Sequence, residues 1–156
     1  MNDIQSILSH KGSTVFSVAA TASIEHAVKN LDSHNIGALV VTDSDGRTVG
    51  IVSERDVLRA LSTRGAVVLA QPVSEIMTCE VKICTRQDKL VDVMERMTEG
   101  RLRHLPVVEN GKLVGIVSMR DLVRLRLEEK EQEVAVLQER IVKVEDLLRR
   151  IQVSRI

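Results

Sequence analysis

The sequence predicts an α+β fold: two pseudo-symmetric β-α-β-β-α repeats packed through their sheets, followed by one long C-terminal helix. Three observations carry this. Residues 15–41 align with residues 81–107 without a gap, and the near-identical stretches GIVSERD from Gly50 and GIVSMRD from Gly115 continue the match. Each copy passes from an apolar run to a helical period, then to two apolar runs joined by a glycine turn. The tail repeats apolar residues at alternating spacings of three and four.

Residues 1–13 form an N-terminal segment that lacks the basic and apolar regions of a leader peptide. The first repeat, residues 14–63, opens with a strand VFSV from Val15. Ile24, Ala27, Val28 and Leu31 then mark one face of a helix at the i, i+3, i+4, i+7 spacing. A buried-looking strand ALVV from Ala38 follows. Asp45-Gly46 signals a hairpin into the strand TVGIVS, and a second helix opens at Ser53. A linker over residues 64–72 ends at Pro72. The second repeat, residues 73–125, has the same order: VKIC from Val81, a helix through Leu90, Val93, Met94 and Met97, HLPVV from His104, the Asn110-Gly111 turn, LVGIVS, and a helix opening at Ser118. Half of this length is too small to bury a core alone, so the copies are expected to cover one another's sheets.

Residues 126–156 form a coiled-coil helix. Val134, Leu137, Ile141, Val144, Leu148 and Ile151 make a heptad seam, which Leu127 extends backward with Lys130 as the polar interruption. Arg140 and Glu145 flank it with opposite charge, placed to pair between helices. A homodimer is expected; the alternative is a single long helix folded back on the body.

Composition narrows the function. Lys plus Arg equals Asp plus Glu at 22 each, so no long-range field draws in a polyanion. Phe16 is the only aromatic residue, which removes the stacking platforms of single-strand and RNA binders. The basic stripe Arg120, Arg124, Arg126 and Lys130 is offset by Glu128, Glu129 and Glu131. These features argue against nucleic acid as a partner. Cys79 and Cys84 lack a zinc-ligand spacing and read as reduced thiols. No apolar run approaches the roughly 20 residues of a membrane span, and a cytoplasmic protein is expected. No Ser/His/Asp or Cys/His set, phosphate loop or metal-ligand cluster suggests an enzyme.

The repeated corner carries the chemistry. Ser53 and Ser118 sit where helix N-caps belong, and Asp56 and Asp121 stand three positions later, where a carboxylate can reach back to the cap's own N–H. Helix capping alone accounts for that pair. It does not account for Arg55 and Arg120, because a cation in a first turn opposes the helix dipole. An anion does: free N–H groups, a hydroxyl and an arginine suit a phosphate. The carboxylate can accept both hydroxyls of a ribose, and Ile51, Val52, Ile116 and Val117 offer an aliphatic wall for a base.

GIVSERDVLRAL and GIVSMRDLVRL, with NIGALVV and RLRHLPVV upstream, resemble the cystathionine-beta-synthase (CBS) domain pair over about residues 15–125. The resemblance implies two intertwined halves with two clefts between them. It also implies a stand-alone regulatory sensor of adenosine-containing ligands such as AMP, ADP, ATP, NAD or S-adenosylmethionine, acting on an unknown partner, with no catalytic cofactor. Carried over, one cleft pairs Phe16, Ser17, Ile36, Gly37 and Ala38 with Ser118, Arg120 and Asp121. The other pairs Lys82, Ile83, Arg103, His104 and Pro106 with Ser53, Arg55 and Asp56. The second cleft gains Lys82, Arg101, Arg103 and His104 and is expected to prefer the more highly phosphorylated ligand. His104 serves equally as a strand-end cap, and Arg101 and Arg103 are expected to alternate on a strand, so at most one faces a given cleft. Val40 departs from Pro106 at the matching position. Signal output is expected through the coiled coil; the alternative function is a dimeric scaffold with vestigial pockets.

Overall fold

A computed structural model describes residues 3–154; Met1, Asn2, Arg155 and Ile156, the outermost residues of the expected N-terminal segment and C-terminal helix, lie outside the described residues. The chain falls into two compact units, residues 1–119 and 120–156.

In the first unit the helical periods become α2 (Ile24–Ser33) and α4 (Leu90–Glu99), which bury Ile24, Ala27 and Leu31 and, in register, Leu90, Val93 and Met97. Ser23 caps α2 by accepting the His26 N–H at 3.1 Å. The apolar runs after them form two antiparallel hairpins, β2 (Ala38–Thr42) with β3 (Thr48–Ser53) and β4 (His104–Glu109) with β5 (Lys112–Ser118). The two turns differ. Asn110 and Gly111 both take positive φ, 50° and 74°, as a tight two-residue turn requires. The longer first turn is held by Asp43, whose Oδ1 accepts the N–H groups of Asp45 and Arg47 at 2.9 Å each.

The expected opening strand forms in one repeat only. β1 (Ser17–Ala19) lies parallel to β2, making a three-stranded sheet β1-β2-β3, whereas VKIC contributes a single bridge, Cys84 to Val107, beside the two-stranded β4-β5. Pro106 explains the loss. In the first repeat the Val40 N–H donates to Phe16 O at 3.2 Å; Pro106 stands at the position of Val40 and has no N–H to give Lys82. Pairing survives one step later, where Cys84 N donates to Pro106 O at 3.0 Å and Val108 N to Cys84 O at 2.9 Å.

The segments before each repeat are the second departure. The stretch after α3 (Glu54–Arg64) winds into 3-10 turns over Ala66–Ala70 and Val73–Glu75, and its Val68 and Val73 are fully buried in the first repeat's core with Leu39, Val41 and Val52. The linker is thus core material. At the chain's beginning α1 (Ile4–Lys11), capped by Asp3, buries Ile4, Ile7 and Leu8 and hooks onto the second repeat: Ile4 N donates to Asp88 O at 3.1 Å and Gln5 N to Arg86 O at 3.0 Å. A Cβ at Gly115 would lie 2.7 Å from Leu8 Cδ2, and one at Gly50 would lie 2.8 Å from Met77 Sδ, so each β-strand glycine makes room for a hook residue. The bridges Asp3–Lys89 and Ser23–Pro72 repeat the pattern. Intertwining is built from these two hooks: α1 precedes the first repeat and packs on the second, and the 66–77 segment packs on the first and precedes the second.

The last element, α5 (Met119–Val153), is one continuous helix. Beyond Lys130 every described residue is exposed. No helix among the described residues is long and apolar enough to cross a membrane.

Candidate functional site

The corner that ends β3 is built as the sequence spacing dictates. Ser53 caps α3: its hydroxyl accepts the Asp56 N–H at 3.3 Å, while Asp56 Oδ2 accepts the Ser53 N–H at 2.8 Å and the Ser53 hydroxyl at 2.9 Å. This is a full capping box. Both bonds fall on one oxygen. Among the described residues Asp56 Oδ1 accepts none, so the carboxylate caps its helix with one atom and presents the other. Capping and ligand recognition are compatible roles for Asp56.

Gly37, next to β2, ties this corner to the second repeat. Its carbonyl accepts the Glu54 N–H at 3.0 Å, and a Cβ on it would lie 3.1 Å from His104 Nε2 and 3.9 Å from Glu54 Oε2. The imidazole of His104 therefore packs against a residue whose lack of side chain admits it, beside the first turn of α3. Gly37, Ser53, Asp56 and His104 come together in the first unit, with half-buried Ile36 and buried Ala38 on either side of Gly37. Gly37 and Ala38, expected in the other cleft, thus share this corner with His104. The mirror of the Gly37 bond is the Met119 N–H donating to Arg103 O at 2.8 Å.

Arg103 and Arg101 are not on a strand, contrary to the expected alternation, because β4 begins at His104. Arg101 sits in the turn after α4 at φ 51°, the place of Asn35, also at φ 51°. Pro106 is buried, while Lys82 and Ile83 are exposed on the segment leading to the Cys84 bridge. Among the described residues Arg55, Lys82, Arg101 and Arg103 have no ion-pair partner, as is true also of Arg47, Arg59, Lys89 and Lys112. Two other arginines are committed: Arg96 to Asp88 at 2.5 Å and Arg86 to Glu109 at 3.0 Å. Burial opposes ionisation of Asp88, but the Thr85 hydroxyl and N–H and then Arg96 outweigh it and lower its pKa.

The remaining expected residues are distributed as follows. Ser17 opens β1 and is exposed. Phe16 is half-buried, and one ring face is covered by His34, stacked at 3.8 Å between centroids and 16° between planes. That face is not open to a base, and His34, which reads from sequence as a plain surface residue, holds the chain's one aromatic ring. Ser118 ends β5, and Arg120 and Asp121 stand in the first turn of α5, at the start of the second unit.

Among the described residues no group of His, Cys, Asp and Glu is arranged to hold a metal ion. Cys79 is exposed; Cys84 is buried, and burial, with Asp88 nearby, pushes its thiol up to about 11. Such a thiol is a packing residue.

A family model described as CBS domain matches residues 9–63 and 73–128. An uncharacterized 17.7 kDa protein of Acidianus ambivalens is 43% identical over 115 residues, 73% of this chain and 68% of that protein. The crystal structure of the CBS-domain containing protein ATU1752 of Agrobacterium tumefaciens superposes with a TM-score of 0.78 at 44% identity, covering 80% of this chain and 93% of that one. A CBS domain protein of Pyrobaculum aerophilum, solved in complex with AMP, superposes at 0.67 with 32% identity, covering 76% and 88%. With both repeats matched and the hairpins, hooks and helix caps in place, the chain belongs to the CBS domain family.

Proposed function

We propose that the protein is a non-catalytic regulatory module that binds an adenosine-containing ligand, of the AMP, ADP, ATP or NAD type, and passes the signal to a partner protein. The observation that carries the proposal is the Ser53–Asp56 corner, whose carboxylate keeps one oxygen out of the cap bonds, at the start of the helix whose Glu54 lies next to Gly37 and His104. The AMP complex of the Pyrobaculum relative supports the ligand class. The phosphate end falls to Arg55, Lys82 and Arg103, which among the described residues have no ion-pair partner. Those cations favour the more highly phosphorylated ligand at this corner. By the repeat symmetry, Ser118, Arg120 and Asp121 are the corresponding set.

Thermal unfolding with and without AMP, ADP, ATP, NAD and S-adenosylmethionine tests the proposal. A ligand at 100 times its dissociation constant stabilises the fold by about 2.7 kcal/mol. Unmoved melts with all five would refute it.

A second reading concerns α5. Its seam side chains are about half exposed, from 47% for Ile151 to 58% for Ile141. A stripe of this kind marks an interaction surface, and self-association into a homodimer through it is the reading we favour. Without ligand binding, the protein would be a paired scaffold.

A further inference from the structure

We infer that α5 forms a parallel, in-register two-stranded coiled coil with a second copy of the chain, its direction chosen by the charges beside the seam. The inference rests on the self-association proposed above and adds its orientation. With Leu127 at position a, the a positions run through Val134, Ile141 and Leu148, and the d positions through Lys130, Leu137, Val144 and Ile151. About 37 Å of helix carries this seam at 1.5 Å per residue.

The flanking charges separate the two directions. Position g holds Arg126 and Arg140, and the e position of the next heptad holds Glu131 and Glu145. In a parallel pair g faces the following e of the other helix, so Arg126 meets the partner's Glu131 and Arg140 meets the partner's Glu145. Two-fold symmetry makes each contact twice. An antiparallel pair that overlaps the whole seam brings Arg140 against the partner's Arg140 across the two-fold axis, which is a like-charge contact.

The ion pairs within the chain agree with this division. Lys143–Glu139 at 3.0 Å and Arg150–Asp146 at 2.9 Å occupy the outward c and f positions. Among the described residues Glu131, Arg140 and Glu145 have no ion-pair partner in their own chain. Arg140 and Glu145 are thus left for the second helix, whereas Arg126 also pairs with Glu129 of its own chain at 3.3 Å. Lys130, the polar d residue, is neutralised by Glu133 at 2.7 Å, and a single polar layer fixes register at a cost in stability.

Sedimentation of the full chain should show a dimer. Arg140→Glu or Glu145→Arg should weaken it about tenfold, by replacing two attractive contacts with repulsive ones, and the double exchange should restore it. Direction is read by disulfide trapping in a Cys79→Ser background. Ile151→Cys chains should cross-link to one another, and a mixture of Leu127→Cys with Ile151→Cys chains should give no mixed product. A dimer that yields only the mixed 127–151 product would overturn the parallel arrangement while leaving self-association standing. A monomer, or a dimer indifferent to Leu137→Asp, would overturn both. Far-ultraviolet dichroism and the AMP-dependent melt of each variant show that residues 1–119 are still folded.

Discussion

Replacing Asp56 separates the two tasks assigned to its carboxylate. Oδ2 accepts the Ser53 N–H at 2.8 Å and its hydroxyl at 2.9 Å, while Oδ1 accepts nothing among the described residues. Asp56→Ala removes both cap bonds, and the loss of half a capping box costs about 1 kcal/mol. Asp56→Asn keeps a neutral oxygen for the cap and puts an NH2 group where Oδ1 stands. Its folding cost should be about 0.5 kcal/mol or less, since only the charge assistance is lost. If Oδ1 receives ribose hydroxyls, both variants lose bonds worth about 1.5 to 3 kcal/mol each. Affinity should then fall roughly 10- to 100-fold, every 1.4 kcal/mol being tenfold. Urea unfolding without ligand measures the first quantity and titration calorimetry with AMP the second. Asp56→Asn binding AMP as tightly as the unaltered chain would show that the carboxylate is a cap and nothing more.

Three other outcomes follow from the packing. Ile4→Ala should destabilise residues 1–119 by about 2 to 5 kcal/mol, with hydrogen-exchange protection lost first in β4 and β5, because fully buried Ile4 anchors the hook on the second repeat. Arg101→Gly should raise stability by up to about 1 kcal/mol in urea unfolding by relieving the left-handed backbone at φ 51°. Exposed Cys79 should take up an alkylating reagent at pH 8 while Cys84 does not, as mass spectrometry after brief treatment will show. Because burial raises the Cys84 pKa from 9.0 to about 11, the folded chain holds that proton longer than the unfolded one, so its contribution is complete below pH 9 and fades as pH climbs to 11.

Much of this architecture is legible in the sequence because its signals are local. Helix faces, the Asn110-Gly111 turn and the Ser53 cap each depend on residues within a few positions of one another, and the duplication orders them. The hooks depend on partners far along the chain. Ile4, Ile7 and Leu8 share the spacing of Val73, Ile76 and Met77, a faint third block of the repeat, but nothing local reveals that Leu8 seats on Gly115. The missing strand at VKIC was legible in principle, since Pro106 lacks the N–H that Val40 uses. Spacing placed the Ser53–Asp56 capping box correctly, whereas the Phe16–His34 stack and the packing of His104 on Gly37 are tertiary contacts without a sequence signal.

The hooks also bear on the order of assembly during synthesis. The first repeat finds everything it needs soon after leaving the ribosome, since Val68 and Val73 follow it directly. The opposite holds for α1, made before the first repeat, whose seat on β5 does not exist until residue 118 has emerged. Until then its apolar face waits unclaimed, a long-range closure of the kind that slows folding. A nascent chain stalled between the repeats would thus carry one finished half and one exposed, homeless helix.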